Sequence, residues 1–225
     1  MGYGALLADA NGVPFYIENT SPLSLIEKRV IGIPGNGGGD FRTLLFNNDG
    51  AIRFVFVNSG SPQGDGTACQ ALLLNNDNNW YLRSNSPGQT VNVYIFGYQF
   101  QPVPAWGIQI NDAQGRCILT NETKVLRDVQ AIGNPADPNN SGFVLNTTLG
   151  GNWAIAPAMT GYFAGVINQG NQPRPVVASY YSDARFNGST TQIRSGFIGN
   201  IESGVSNATY SNYRNRLTAI NVSRY

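Results

Sequence analysis

At 225 residues the chain is long enough for one large β domain or for two modules of about 100 residues each. An apolar share of 41%, with 11% aromatics, is enough for packed cores and excludes wholesale disorder. Charged residues reach only 12% and the formal net charge is +1, so there is no electrostatic hold on phosphate backbones or anionic lipids, and neither nucleic acid nor a membrane surface is an expected partner.

In chain order, the start Met1-Gly2-Tyr3-Gly4-Ala5-Leu6-Leu7 lacks the charged region and long apolar run of a secretory signal. No apolar stretch approaches the ~20 residues of a spanning helix. Membrane insertion is therefore not expected, and synthesis in the cytoplasm is. An apolar run then meets Asp9-Ala10-Asn11-Gly12 and a second run leaves it, which predicts a hairpin. Thr20 to Arg29 is the best helix candidate, with Ser21-Pro22 as cap and first position. Leu23, Leu25 and Ile26 form no clean helical stripe, however, so that assignment stays open. Gly35-Asn36-Gly37-Gly38-Gly39-Asp40 has no following Lys-Ser/Thr and reads as a surface loop, not a phosphate loop.

Leu44–Phe46, the turn residues Asn47 to Gly50 and then Ile52 to Val57 give a strand–turn–strand signal. Leu72–Leu74 and Trp80–Leu82 flank Asn75-Asn76-Asp77-Asn78-Asn79, read as a hairpin turn because its single charge does not make a calcium loop. Val91 to Phe96 is strand-like in its β-branched and aromatic content. Gln101-Pro102-Val103-Pro104 is a short stiff linker, which places a domain boundary between 1–101 and 102–225. Beyond it, Phe143–Leu145, Trp153–Ile155, Tyr162–Ile167, Val176–Tyr181 and Leu217–Val222 are the predicted strands.

The second half opens as the first does. Gly107-Ile108-Gln109-Ile110-Asn111-Asp112-Ala113-Gln114-Gly115 aligns with Gly4 to Gly12, and Gly, Asp, Ala and Gly recur at the same places. Asp can hold the turn backbone and Gly supplies positive φ, so Asp9, Gly12, Asp112 and Gly115 are expected as turn formers. The expected fold is all-β, with two tandem β-sandwich-like domains that each open with a β-hairpin.

The chain has no histidine, which removes the commonest general base and most transition-metal sites. Most acidic residues stand in turn contexts and make no evident glycosidase pair. Cys69 and Cys117 are too few for a disulfide framework and lack metal-ligand spacing. No catalytic residue, cofactor or metal ligand is expected. Aromatics offer the stronger hint. Tyr98, Tyr180, Tyr181, Tyr210 and Tyr213, with Tyr94 and Phe100, are candidates for partner or glycan contact, since Tyr gives large contact area at low entropy cost.

The start Gly-apolar-x-apolar-x-Asp-x-x-Gly followed by an apolar strand resembles that of small tail proteins of siphovirus-like tailed bacteriophages. Here it stands at Gly4–Gly12 and again at Gly107–Gly115, whereas many relatives carry it once. The resemblance implies a structural virion component, a minor tail protein near the tail tip or fibre attachment. Its partners would be other tail proteins, with a homo-oligomer or a host surface glycan as further partners. The family has no catalytic residues to carry over. A receptor- or glycan-binding module is the alternative reading.

Overall fold

The computed structural model describes residues 21–33, 41–60, 68–74, 77–84, 90–169, 172–198 and 204–225. In chain order the strands are β1 (Ser24–Gly32), β2 (Phe41–Asn47), β3 (Arg53–Ser59), β4 (Cys69–Leu74), β5 (Asn79–Ser84), β6 (Thr90–Gly97), β7 (Gln109–Asn111) and β8 (Cys117–Thr120). They continue as β9 (Val129–Ile132), β10 (Asn146–Gly150), β11 (Trp153–Ile155), β12 (Met159–Gln169), β13 (Gln172–Phe186), β14 (Thr190–Ile198), β15 (Val205–Asn212) and β16 (Leu217–Asn221). A single 3-10 turn, Gly142–Val144, interrupts them among the described residues. The protein is all-β.

Eleven of these strands share one branched sheet. β6 lies between β1 and β3. From β3 the sheet continues two ways. Val57 pairs with Ile155 of β11, which leads to β16 and β9. Ser59 meets Arg185 of β13 in parallel, and β13 leads to β14 and β10 on one side and to β12 and β15 on the other. β2, β5 and β4 form a separate three-stranded sheet. The guanidinium of Arg29 on β1 joins the two sheets by donating to the carbonyls of Leu44 and Leu45 on β2.

β6 is buried on both faces, which explains its nearly unbroken apolar content. Val91, Val93 and Ile95 face a cluster with Ile31, Val57, Leu82, Ile132, Ile155, Ile193 and Leu217. Tyr94 and Phe96 face a second cluster with Phe56, Ala154, Ile220 and Val222. Tyr225 closes it, its ring edge-on to Phe96 at 5.0 Å. The Tyr225 hydroxyl donates to Val125 O at 2.9 Å and accepts from Arg127 N at 3.0 Å.

Several expectations change. The segment left open between helix and strand is strand from Ser24 onward, with a period of two in which Val30 is 64% exposed and Ile31 6%. Leu44–Phe46 and Ile52–Val57 are strands but not a hairpin, because β2 pairs with β5 and β3 with β6, so the turn between them carries the chain from one sheet to the other. Phe143 and Val144 lie in the 3-10 turn, not a strand. The division into 1–101 and 102–225 is not confirmed, since strands from both sides of 101–104 share the large sheet and its main core.

Local readings fared better. β4 and β5 pair as a hairpin, Leu72 opposite Tyr81 and Leu73 opposite Trp80. The second copy of the repeated turn joins β7 to β8, with a register shift at Ile110/Asn111. There the Asp112 carboxylate accepts from Gln114 N at 3.0 Å and from Arg116 N at 2.8 Å, and Gly115 takes φ +79°. The first copy, with Asp9 and Gly12, and the Gly35–Asp40 loop lie outside the described residues.

Candidate functional site

β12, β13, β14 and β15 form an arm on one face of which Phe163, Tyr180, Phe197 and Tyr210 gather. Registry explains the gathering. Tyr180 on β13 lies opposite Gly161 of β12 and Phe197 of β14, and Phe163 of β12 lies opposite Tyr210 of β15. Residues two apart on a strand share a face, so Gly161 and Phe163 project to the same side. Gly161 leaves a gap in that row, and the 3-10 turn fills it with Phe143. A Cβ at Gly161 would come within 2.5 Å of Phe143 Cδ1.

Phe143 is held from behind. The Asn212 side-chain oxygen accepts from Phe143 N at 3.3 Å and Arg214 N at 2.9 Å, while its amide donates to Ser141 O at 3.1 Å. Gly142, at φ +57°, makes the bend, and Gly142 N donates to Asn215 O at 3.1 Å. The Phe143 ring stacks on Tyr180 at 5.1 Å with a 25° interplanar angle and lies 6.4 Å from Tyr210. Tyr180 meets Phe197 edge-on at 5.6 Å, and Phe163 meets Tyr210 at 5.2 Å. Each such pair contributes about 0.5–1.5 kcal/mol beyond its area, so the face is preorganised. Burial raises the Tyr180 phenol above its ordinary value, and the neighbouring Tyr210 adds to the rise. The Tyr180 phenol is therefore a neutral donor at neutral pH.

The five candidate tyrosines therefore separate. Tyr180 and Tyr210 belong to this face. Tyr213, half exposed, packs edge-on against Tyr162 on the opposite face at 6.0 Å. Tyr181 is turned inward against Ala68, Ile198 and Met159 and offers no contact surface. Tyr98 is 57% exposed but stands beyond the end of β6 and makes none of these ring contacts. Of the two linker aromatics, Tyr94 is core, and Phe100 lies exposed under the Arg116 guanidinium at 4.3 Å. Sequence reasoning missed Phe143, Phe163 and Phe197. Their signal depends on which strands pair, and no local pattern carries it.

Apart from this face, a groove of about 570 Å³ lies where the three-stranded sheet meets β3. Phe46, Trp80, Val55 and Ala71 wall it, with Asn48 and Arg53 among its polar side chains. Arg53 lies over the Phe46 ring at 4.8 Å and grips both Asp49 oxygens at 2.6 Å. That guanidinium, with the Ala51 N–H, holds the Asp49 carboxyl well below the usual carboxylate range.

Among the described residues no three His, Cys, Asp or Glu side chains come together as a metal set. Nor, among them, is any helix long and apolar enough to cross a membrane. Neither cysteine is in a disulfide, and both are buried. Burial pushes the Cys69 thiol far up, with the nearby Asp183 carboxylate adding to it, so it is not a poised nucleophile. No family model, curated protein or solved structure matches the chain.

Proposed function

We propose that the protein is a structural component of a bacteriophage tail, a minor tail protein near the tail tip or fibre attachment, that holds other tail proteins by protein–protein contact. The observation that carries an assembly role is the aromatic face of the β12–β15 arm. It is partly solvent-exposed, built on paired strands and backed by the Asn212 bonds, which is the composition of an interface centre. The sparse charge fits a surface that meets neighbours by shape and apolar contact. The resemblance of the Gly107–Gly115 turn supplies the tail. Its first copy, at Gly4–Gly12, lies outside the described residues.

Mass spectrometry of purified virions tests this reading. The chain should be present in mature particles, and Tyr180→Ala with Tyr210→Ala should lower its incorporation at least several-fold while leaving the far-ultraviolet circular dichroism spectrum unchanged. Absence of the wild-type chain from mature particles would overturn it.

The glycan-binding alternative draws on the groove, where Trp80 and Phe46 offer aromatic walls for sugar stacking beside polar side chains. Binding of the isolated protein to host surface polysaccharide, lost in Trp80→Ala, would select that reading.

A further inference from the structure

The arm has two long outer edges, and they differ. Ser182 N donates to Ala158 O at 2.9 Å, so the even-numbered N–H groups of β13 point toward β12. By alternation those of 173, 175 and 177 point away. Over residues 172–178, β13 has no partner on that outer side among the described residues. Two of its three outward positions are Pro173 and Pro175, which have no N–H to offer. That edge is closed to strand addition.

The other edge is β15. Tyr213 N donates to Thr160 O at 3.1 Å, and the register with β12 runs unbroken from Ala164/Thr209 to Gly161/Asn212. Thr209 and Ser211 therefore turn their N–H groups to β12, and Ala208 and Tyr210 turn theirs outward. Among the described residues β15 pairs with β12 alone. It contains no proline, and Val205 through Tyr213 contains no charged residue. β1 shows the contrast: among the described residues its outer side meets only Val125, at Ser24, and beyond that point it carries Glu27, Lys28 and Arg29. Charge, proline and bulges are the usual guards of a sheet edge; β15 has neither charge nor proline, and its register shift lies beside Asn207, at φ +52°, before the even stretch 209–212.

We infer that β15 is a homotypic edge, at which a second copy of this chain adds its own β15 antiparallel across a two-fold axis. The charge pattern selects this occupant. At a two-fold contact each residue near the axis meets the same short stretch of its copy, so any charge there repels itself. An edge kept free of charge over nine consecutive residues, in a chain of net charge +1, carries no such penalty. The pairing uses backbone groups of β15, whereas the proposed contact with tail proteins uses aromatic side chains, so the two stand or fall separately.

Sedimentation of the purified full-length chain over a range of concentrations is the test. The wild type should dimerise. Ala208→Lys, which sets a charge against its own copy, should weaken dimerisation at least tenfold and recover part of it in high salt. Ala208→Ser should leave it unchanged. Hydrogen exchange on the wild type is a second readout, in which the outward amides of Ala208 and Tyr210 should lose protection on dilution as dimers separate. A chain that is monomeric at every concentration overturns the inference, as does a dimer insensitive to Ala208→Lys. Slow exchange of the Ala208 and Tyr210 amides in the monomer would also overturn it, because the chain itself would then cover the edge. Virion incorporation, measured in the same variants, reports on the tail role and not on this pairing.

Discussion

Gly115 and Gly142 both take positive φ, +79° and +57°, yet they should answer differently to the same substitution. A Cβ on Gly115 would meet nothing within 4 Å, so Gly115→Ala carries only the cost of a left-handed alanine, about 1 kcal/mol. A Cβ on Gly142 would strike the Asn212 side-chain oxygen and approach Arg214 N at 2.8 Å. Asn212 would have to move and give up the bonds that hold Phe143, for a total of roughly 3 kcal/mol. Denaturant midpoints should rank the variants in that order. Gly142→Ala should also perturb the near-ultraviolet signal of the Phe143–Tyr180 stack, which Gly115→Ala leaves alone. The Asp112–Gly115 turn was legible because its whole mechanism lies within five residues, a carboxylate accepting from two N–H groups and a glycine in the left-handed region. The place of Phe143 was not legible, because the gap it fills is made by Gly161 and its hold comes from Asn212, both distant in sequence.

At the scale of elements, the prolines of β13 separate two readings of the same residues. The strand expected over Val176–Tyr181 leaves Pro173 and Pro175 ahead of it. In the structure they lie within it, at the outward positions of an unpartnered edge. If they guard that edge, Pro173→Thr with Pro175→Thr restores two outward donors and adds β-branched residues that favour strand. The double variant should remain folded but associate more readily, seen as a lower concentration for the onset of light scattering. If scattering is unchanged, the prolines are not edge guards. Strands were found from composition where burial wrote an apolar run into the residues, as in β6, β11, β12 and β16, whereas β14, whose buried positions alternate Thr191 with Ile193, was missed. β15 and β10 went unpredicted because they are polar and exposed and have no apolar alternation to betray them. Partner choice was equally hidden. Asn47 to Gly50 looks like a hairpin turn locally, and only the packing of two sheets sends its flanking strands apart.

For the whole molecule, the decisive contacts join the two ends of the sequence. Val57 pairs with Ile155, and the side chain of Asn58, only 1% exposed, donates to Asn152 Oδ1 at 2.7 Å and to Trp153 O at 2.9 Å while its oxygen accepts from Asn92 at 2.9 Å. Leu217 and Ile155 close the same core as Val91 and Val93. Separating the halves at the Gln101–Pro104 linker would strip a face from β3 and β6 and leave Asn58 without partners for its amide. An unpaired buried amide costs about 1–3 kcal/mol, and exposure of several large apolar side chains costs more than the few kcal/mol by which domains are stable. Residues 1–101 and 102–225 expressed singly should therefore give neither the cooperative thermal transition nor the near-ultraviolet spectrum of the intact chain. The full chain should unfold in one calorimetric transition whose van't Hoff and calorimetric enthalpies agree. Two resolved transitions, or two half-chains that each fold, would restore the tandem arrangement that the repeated turn suggests. One shared transition would leave the repeat at Gly107–Gly115 as a local turn solution set inside a common core, and would make the stability of the β12–β15 arm depend on strands from the other half of the chain.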